Sequence, residues 1–457
     1  MAEGLTKPLW IKGPLAILAE GAENGVAVSD GCISELIGAG TEPQGYGAGT
    51  EYDVFDAQDL VVVPGLVNTH HHFYQTLTRA HSDAINKPLF PWLLSLYPIW
   101  RHLTPDMVQV ATRLALAELL LSGCTTAADH HYVFPQGLEE AIDIQVGEAG
   151  AMGMRALFTR GSMSLSVEDG GLPPRDMVQR EDAILADSER VIARHHQAGT
   201  GAMIQIALAP CSPFSFTPDG MRDTAHLARR HGVRLHTHIA ETEDETAHCL
   251  ELYKMRPVDF LEDVGWLGDD VWVAHGIHFS GDEVARLGKA GVGVCHCPSS
   301  NMVLASGICP VLDLEAAGAA VGLGVDGSAS NDCSNMIQEV RQALMLQRIR
   351  YGAERVDHGR ALGWVTQGSA RCLGRDDIGE IAVGKRADLA LFKLDEMRFS
   401  GAQDPMAALI LCGAHRAHAV MVEGRWRVRD GHLCDVDEMA LIAEHSAAAR
   451  ALWAAAG

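Results

Sequence analysis

The sequence has no run of 18 apolar residues, and its longest candidate, residues 114–121, is interrupted by Glu118. Because a membrane-spanning helix needs about 20 apolar residues, a transmembrane protein is excluded. No basic segment followed by an apolar one stands at the start of the chain, so no secretory signal is expected. We therefore expect a cytoplasmic protein.

Positive charge is also scarce: the formal net charge at pH 7 is −23. Nucleic acids and anionic membranes would be repelled by such a chain, which leaves a small neutral or cationic molecule as the expected partner. The 11 cysteines are scattered and odd in number, and Cys295-His296-Cys297 has no second pair with the spacing of a structural zinc site. We interpret them as reduced thiols, mostly in the core.

What is present is a strong alternation of strand and helix patterns. The first sixty residues contain only short β-prone pieces broken by glycine, at residues 8–11, 16–18, 26–29, 33–37 and 52–56. Thereafter strand-length apolar runs recur at residues 125–130, 155–161, 203–210, 234–240, 271–276, 292–296 and 320–326. Segments of helical period lie between them, at residues 107–122, 181–196, 218–231, 243–264 and 282–290. With the strand before residue 72, this alternation predicts an α/β fold, a (β/α)8 TIM-like barrel.

The β-prone pattern returns near the C-terminus, at residues 379–392 and 419–422, and an Ala-rich helix follows from residue 437. We infer that the two ends of the chain pair into one small composite β-sandwich beside the barrel. The expected division is therefore residues 1–63 for the first part of the sandwich, 64–370 for the barrel, and 371–457 for the second part with the helix.

The segment from Val61 to His72 organises the rest of the chain. A β-branched run ends in Pro-Gly, a short second run follows, and three histidines then arrive together. Successive side chains of an extended segment point to opposite faces, so His70 and His72 share a face and His71 does not. Two imidazoles on one face can hold a metal ion; a surface histidine cluster is the alternative.

Further ligand-type residues stand at the ends of other predicted strands. His238 ends the fifth, with Glu241 three residues on, His275 ends the sixth, and Asp326 ends the eighth. Barrel enzymes carry their chemistry at the C-terminal ends of the strands. Three neutral nitrogen ligands and one carboxylate suit Zn²⁺, with Fe²⁺ as the second choice, and leave a position for water. The alternatives are a hydrogen-bonded core histidine for His238 and a turn aspartate for Asp326.

These motifs together resemble the amidohydrolase superfamily, in its branch of mononuclear purine, pterin and triazine aminohydrolases. The resemblance covers essentially the whole chain and includes the late segment 384–389. It implies one divalent metal ion, with Zn²⁺ expected, because the fourth strand has no lysine that could bridge two ions. The implied metal ligands are His70, His72, His238 and Asp326, and the implied catalytic residues are Glu241, His275 and Asp326.

The resemblance implies hydrolytic loss of ammonia from an amidine-like carbon. Asp326 and His275 would orient the attacking hydroxide, and Glu241 would carry its proton to a ring nitrogen. The alternative for Glu241 is an N-cap of the helix that starts near Glu243.

The expected substrate is an oxidised guanine, 8-oxoguanine, which would give urate and ammonia. Gln75, Cys211 and Asn331 are the candidate substrate-binding residues: the Gln75 amide can pair with a lactam edge, and the compact Cys211 leaves room for an oxo substituent. Cys211 stands where guanine deaminases typically offer an Arg-Phe pair. Isoxanthopterin, guanine and a hydroxytriazine are alternative substrates, and a non-catalytic scaffold is the alternative from another class.

Aromatic residues near the first strand have two open interpretations. Phe73 and Tyr74, with the apolar segment 88–92, either enclose a flat heterocycle or pack against a second subunit. We expect a homo-oligomer, a dimer or larger.

Overall fold

The computed structural model of the protein describes residues 7–457. The N-terminal segment forms six strands: β1 Leu9–Lys12, β2 Ala16–Ile17, β3 Gly25–Ser29, β4 Cys32–Leu36, β5 Asp53–Asp56 and β6 Leu60–Pro64. Four of them make a sheet in the order β4-β3-β1-β5, while β2 and β6 join a different sheet. Glycines recur in the turns between these strands, and residues 7–64 contain no helix.

The chain passes from the sandwich into the barrel at Gly65. The run Leu60–Pro64 pairs in the sandwich, whereas the short second run, Leu66–Asn68, is the first barrel strand, β7. A Cβ atom on Gly65 would lie 2.1 Å from the Thr125 hydroxyl oxygen, so only glycine fits this crossing point. The segment around the histidines therefore belongs to two sheets, not to one continuous strand.

Eight parallel strands form the barrel. After β7 they are β8 Cys124–His131, β9 Arg155–Ser162, β10 Ile204–Pro210, β11 Leu235–Ile239, β12 Val271–His275, β13 Gly293–His296 and β14 Val321–Leu323. Each pairs with its neighbour in chain order. The amide of Thr69 donates to the Leu323 carbonyl and that of Asp326 to the His70 carbonyl, at 3.0 Å each, which closes the ring between the first and last strands. The predicted (β/α)8 barrel is confirmed.

Helices pack around the barrel and over its C-terminal rim. They are α1 Leu89–Trp100, α2 Pro105–Leu121, α3 Ala141–Met152, α4 Glu181–His195, α5 Pro218–His231, α6 Glu243–Tyr253, α7 Pro257–Asp263, α8 Gly281–Ala290, α9 Pro298–Val303, α10 Val311–Ala317, α11 Met336–Tyr351 and α12 His358–Gly363. The single helix predicted over residues 243–264 is wrong. It divides into α6 and α7, because Pro257 lacks the amide hydrogen that a continuous helix requires and serves as the first residue of α7.

The C-terminal segment returns to the sandwich. Its elements are α13 Ser369–Cys372, β15 Leu389–Lys393, α14 Pro405–Ala408, β16 Ala419–Val422, β17 Arg425–Arg429, β18 His432–Leu433 and α15 Glu438–Ala456. The second sheet has the order β18-β17-β16-β15-β6-β2, so both ends of the chain share it. The predicted composite sandwich is confirmed. Among residues 7–457, no helix is long and apolar enough to cross a membrane.

Candidate metal and catalytic site

Five of the predicted site residues meet at the C-terminal rim of the barrel. His70 and His72 follow β7, His238 lies in β11, His275 ends β12, and Asp326 follows β14. Ligand atoms of His70, His72 and Asp326 all lie within 4.8 Å of one another, as do those of His70, His238 and His275. The alternation argument therefore gave the correct face for His70 and His72, although both lie beyond the last residue of the strand.

Backbone carbonyls determine which nitrogen of each ligand-type histidine carries the proton. Nδ1 of His72 lies 2.6 Å from the His130 carbonyl oxygen, and Nδ1 of His238 lies 2.6 Å from that of Cys211. A carbonyl oxygen only accepts, so both Nδ1 atoms are donors and both Nε2 atoms carry a lone pair. These two Nε2 atoms are 3.2 Å apart.

His70 reaches the same state through a second histidine. Nδ1 of His236 donates to the Trp272 carbonyl at 2.9 Å, and its Nε2 lies 2.8 Å from Nδ1 of His70. His236 must accept there, which leaves Nε2 of His70 as a bare lone pair, buried and without a partner. It faces Oδ1 of Asp326 at 3.3 Å. The pattern His236-x-His238 mirrors His70-x-His72, a signal that the sequence analysis left unused.

The donor set fits a divalent cation. Burial lowers the pKa of His72 to about 3, and it also lowers the pKa of His70 and of His238, so these rings are neutral at pH 7. Three nitrogen lone pairs and a carboxylate oxygen thus converge with no proton among them, which is electrostatically unfavourable unless a cation lies between them. Three imidazoles and a carboxylate are ligands that suit zinc.

The two carboxylate oxygens of Asp326 have different neighbours: one faces two histidines and the other accepts from two hydroxyl groups. Oδ1 lies 3.3 Å from Nε2 of both His70 and His72, and Oδ2 accepts from the Ser300 hydroxyl at 2.6 Å and the Ser330 hydroxyl at 3.4 Å. Burial would raise the pKa of Asp326, but the neighbouring histidines lower it well below its usual range. The carboxylate is therefore ionised and fixed in orientation.

Two site residues have strained backbones. His275 has φ +72° and Asp326 has φ +62°, in the left-handed region that non-glycine residues seldom adopt. At His275 the amide of Gly276 donates to the Ala274 carbonyl at 3.1 Å, a turn of three residues. Such strain costs of order 1–3 kcal/mol per residue and concentrates at functional sites, where it aims a side chain that a regular strand would direct elsewhere.

Glu241 is a buried carboxyl group beside His275. Its Oε2 lies 3.4 Å from Nε2 of His275, and its Oε1 has no hydrogen-bond partner. Burial raises the pKa of Glu241 to about 7, which suits a group that both takes up and releases a proton near neutrality. The N-cap of α6 is Thr242, whose hydroxyl accepts from the Glu245 amide, so the capping alternative for Glu241 is wrong.

His275 differs from the other histidines of the site. Its Nδ1 lies 3.1 Å from Oδ1 of Asn301, and its Nε2 faces Glu241 and, at 3.9 Å, Oδ2 of Asp326. Burial acts to lower its pKa, but the carboxylates of Glu241 and Asp326 raise the pKa of His275 above its usual value. His275 therefore lies between the carboxyl groups of Glu241 and Asp326.

A cavity of about 400 Å³ opens onto these residues. Its lining includes His72, Gln75, Leu89, Trp92, Leu93, Tyr97, Tyr132, Cys211, Phe214, His238, Glu241, His275, Leu304, Asp326 and Ser330. The lining combines aromatic walls with a few polar groups, as is usual for small-molecule sites. Helix α1 therefore forms a wall of the cavity, and this wall belongs to the same chain as the ligand-type histidines.

Two of the three candidate substrate-binding residues line the cavity, and the third does not. Gln75 and Cys211 line the cavity, and the Gln75 amide oxygen accepts from the Ala329 amide at 3.4 Å. Asn331 is not among the lining residues: its side-chain amide donates at 2.8 Å to both the Val325 carbonyl and the Glu339 carboxylate. Its hydrogen bonds hold the chain around Asp326.

Phe73, Tyr74 and His130 are not among the residues that line the cavity. Phe73 and Tyr74 are buried inside the chain and are not among the cavity-lining residues, so they do not form a surface for a second subunit. His130, which ends a predicted strand but was not proposed as a site residue, stacks on His238 with ring centroids 4.8 Å apart. The same strand-end rule that selected His238 would have selected it.

Comparison with known proteins identifies the family. The profile of the amidohydrolase family matches residues 61–427, which contain all of the residues above. The chain belongs to the amidohydrolase family. The family is metal-dependent, in agreement with the donor set at the rim.

Within the amidohydrolase family the chain is similar to several deaminases and hydrolases. It is 64% identical to 8-oxoguanine deaminase of Pseudomonas aeruginosa over 448 residues, which cover 97% of this chain and 99% of the relative. It is 38% identical to isoxanthopterin deaminase of an unknown prokaryotic organism, over 79% of each chain. The crystal structure of atrazine chlorohydrolase from Arthrobacter aurescens TC1 complexed with zinc superposes with a TM-score of 0.89 at 29% identity, over 96% of this chain and 100% of that one.

Proposed function

We propose that this protein is a metal-dependent deaminase that converts 8-oxoguanine and water to urate and ammonia. The observation that carries the proposal is the 64% identity, over nearly the whole of both chains, to an enzyme named for this reaction. Isoxanthopterin is the second candidate substrate, because a relative named for its deamination is 38% identical. A non-catalytic scaffold is disfavoured, since the predicted ligand and catalytic residues are all present at the rim.

One divalent ion, Zn²⁺ or alternatively Fe²⁺, is the proposed cofactor, held by His70, His72, His238 and Asp326. When bound, it would supply an activated water at neutral pH by lowering the pKa of that water from 15.7 to about 7. A single ion is supported by the composition of the fourth barrel strand, Ile204–Pro210, which contains no lysine to bridge a second one. A structural neighbour crystallised with zinc supports the choice of metal.

Glu241 is the proposed proton carrier. It accepts a proton from the attacking water and delivers it to a ring nitrogen beside the amino-bearing carbon, which makes that carbon more electrophilic. The hydroxide oxygen then forms the new C–O bond, Glu241 moves the remaining hydroxyl proton to the amino group, and the C–N bond breaks to release ammonia and leave a carbonyl group. His275 and Asp326 hydrogen-bond the attacking oxygen: Nε2 of His275 faces the Glu241 carboxyl group, and the Ser300 hydroxyl fixes the orientation of the Asp326 carboxylate.

The other polar groups of the cavity orient the purine. Gln75 is held by its contact with the Ala329 amide, so its NH₂ group is available to an acceptor on the lactam edge. Cys211 presents a compact thiol, and burial raises its pKa to about 12, so it is uncharged and leaves room for a substituent. Asn331 remains a positioning residue in this proposal, because its side-chain donors are occupied.

Ammonia release from a panel of heterocycles tests the proposal. We expect the zinc-loaded protein to turn over 8-oxoguanine at least tenfold faster, in kcat/KM, than guanine, isoxanthopterin, cytosine or a hydroxytriazine. Faster turnover of isoxanthopterin would replace the proposed substrate with the second candidate. No ammonia from any of the five, with about one zinc ion bound per chain, would refute the proposed substrate class.

A further inference from the structure

Helix α1 carries one unsatisfied polar group into the cavity. Four of its residues line the cavity: Leu89, Trp92, Leu93 and Tyr97. The Trp92 indole N–H already donates to the Ala329 carbonyl at 3.1 Å, whereas the hydroxyl of Tyr97 is buried and has no hydrogen-bond partner. Only 1% of Tyr97 is exposed to solvent. Because buried hydroxyl groups almost always have a partner, this one requires an explanation.

The ring of Tyr97 is held in place, so its hydroxyl has a defined position. It packs edge-on against Trp100 with ring centroids 6.0 Å apart, and the Trp100 indole donates to the Thr78 hydroxyl at 3.2 Å. A rigid, desolvated phenol can donate a hydrogen bond to a ligand without losing much conformational freedom. This is the arrangement expected of a group that recognises an acceptor.

Tyr97 and Glu241 enter the cavity from different elements. Tyr97 lies on helix α1, whereas Glu241 follows strand β11, and both residues line the cavity. Burial raises the pKa of Tyr97 well above its usual range, so the phenol keeps the proton that a hydrogen bond to an acceptor requires. When the amino-bearing carbon of a purine lies at Glu241, its five-membered ring lies at the far end of the molecule.

We infer that the Tyr97 hydroxyl donates a hydrogen bond to the 8-oxo oxygen of the purine and thereby determines the preference for 8-oxoguanine over guanine. This inference rests on the proposed function and names the residue that selects its substrate. Guanine presents a C–H group at this position, which leaves the phenol unpaired in the interior. An unpaired buried hydroxyl reduces affinity by about 5- to 100-fold, and a site built around such a hydrogen bond rejects the analogue that lacks it.

Two oxopurines, one with and one without the 8-oxo group, test the inference without turnover. Urate, the proposed product, has this oxygen and xanthine lacks it. We expect zinc-loaded Tyr97→Phe protein to bind urate about tenfold more weakly than the unmodified protein, with xanthine affinity changed less than twofold. In kcat/KM, the ratio of 8-oxoguanine to guanine should fall by a similar factor. Binding is measured by titration calorimetry.

Thr112→Val is the matched control. Thr112, in α2, also has a fully buried hydroxyl without a partner, but it is not among the cavity-lining residues, so its loss should leave the urate-to-xanthine ratio unchanged. An equal loss of affinity for both ligands in Tyr97→Phe, or no loss for either, would overturn the inference. If the unmodified protein releases no ammonia from 8-oxoguanine, the proposed function itself has failed and the inference falls with it.

Discussion

Two clusters of buried polar groups, at opposite ends of the barrel, differ in whether their members are paired. At the end that faces the sandwich, Arg155 at the start of β9 is fully buried and its nitrogens are paired with Asp388, Glu423 and backbone carbonyls. At the opposite rim, Nε2 of His70, Oε1 of Glu241 and the hydroxyl of Tyr97 are buried without partners. The cluster around Arg155 is paired internally, whereas these three groups at the rim are not.

This difference indicates where stability and function lie. Pairing the buried Arg155 with Asp388 and Glu423 avoids the penalty of an uncompensated ion, so this cluster contributes to holding the barrel and the sandwich together. Unpaired lone pairs and the positive φ of His275 and Asp326 are energetically unfavourable. Natural proteins retain such features at functional sites. Substitutions at the rim should therefore reduce activity more than stability, and substitutions at the sandwich end should do the reverse.

The largest effect is expected at Glu241. Glu241→Gln keeps the size and burial of the side chain but cannot carry a proton, so kcat for ammonia release should fall by about 100- to 10,000-fold. Zinc content and the midpoint of thermal unfolding should stay close to those of the unmodified protein, because Oε1 has no partner to lose. Atomic absorption, thermal unfolding and an ammonia assay measure the three quantities. Full activity with bound zinc would contradict the role of Glu241.

A comparable substitution at the sandwich end should act on stability. Arg155→Met leaves Asp388 as a buried carboxylate without a cation, while Glu423 keeps its ion pair with Arg386, and the loss should destabilise the fold by about 3–5 kcal/mol. The protein that remains folded should retain its kcat, since Arg155 lies at the N-terminal end of its strand. Thermal unfolding and activity per folded molecule test this.

Arg180→Met is the control for Arg155. Arg180 pairs with Asp182 at the surface, where water already solvates both charges, so little change in the unfolding midpoint is expected. If both substitutions lowered the midpoint equally, burial would not explain the role of Arg155. If Arg155→Met left the midpoint unchanged, the proposed contribution of the sandwich end to stability would be wrong.

The same contrast explains what the sequence could predict. Strand positions and the histidines at strand ends follow from local periodicity, and the barrel itself was predicted correctly. The late segment that contains Asp388 supported the family resemblance, yet only the structure reveals its partner, Arg155, 233 residues away. Pairings of this kind depend on how distant elements pack, which no local pattern records.

Residues whose role depends on a neighbour were the hardest to assign. Asn331 was a candidate for substrate binding, but Glu339 and the Val325 carbonyl occupy its amide. Tyr97 lies in an apolar helix whose packing over the cavity could not be deduced from the segment itself. The split of the first run at Pro64-Gly65 had a signal in the sequence, since this dipeptide interrupts strands, but the two sheets it connects became visible only in the fold.

The smallest of the three effects is expected at His236. Like Arg155, this residue is fully hydrogen-bonded, but its bond to Nδ1 of His70 keeps the unpaired Nε2 lone pair of that ligand directed at the rim. His236→Phe removes the acceptor, so the His70 ring should lose its fixed tautomer and zinc affinity should fall by about 10- to 100-fold. Competition with a chromogenic chelator measures this affinity without reference to turnover.

The matched control and a rescue experiment separate positioning from packing. His131 is equally buried and has no hydrogen-bond partner, so His131→Phe should leave zinc affinity unchanged. Excess zinc should restore activity to His236→Phe, because the catalytic groups are intact, whereas it should not restore Glu241→Gln. Unchanged zinc affinity in His236→Phe would mean that the His70 orientation is set by packing alone. In that case the hydrogen bond between His236 and His70 would contribute nothing to the metal affinity of the rim.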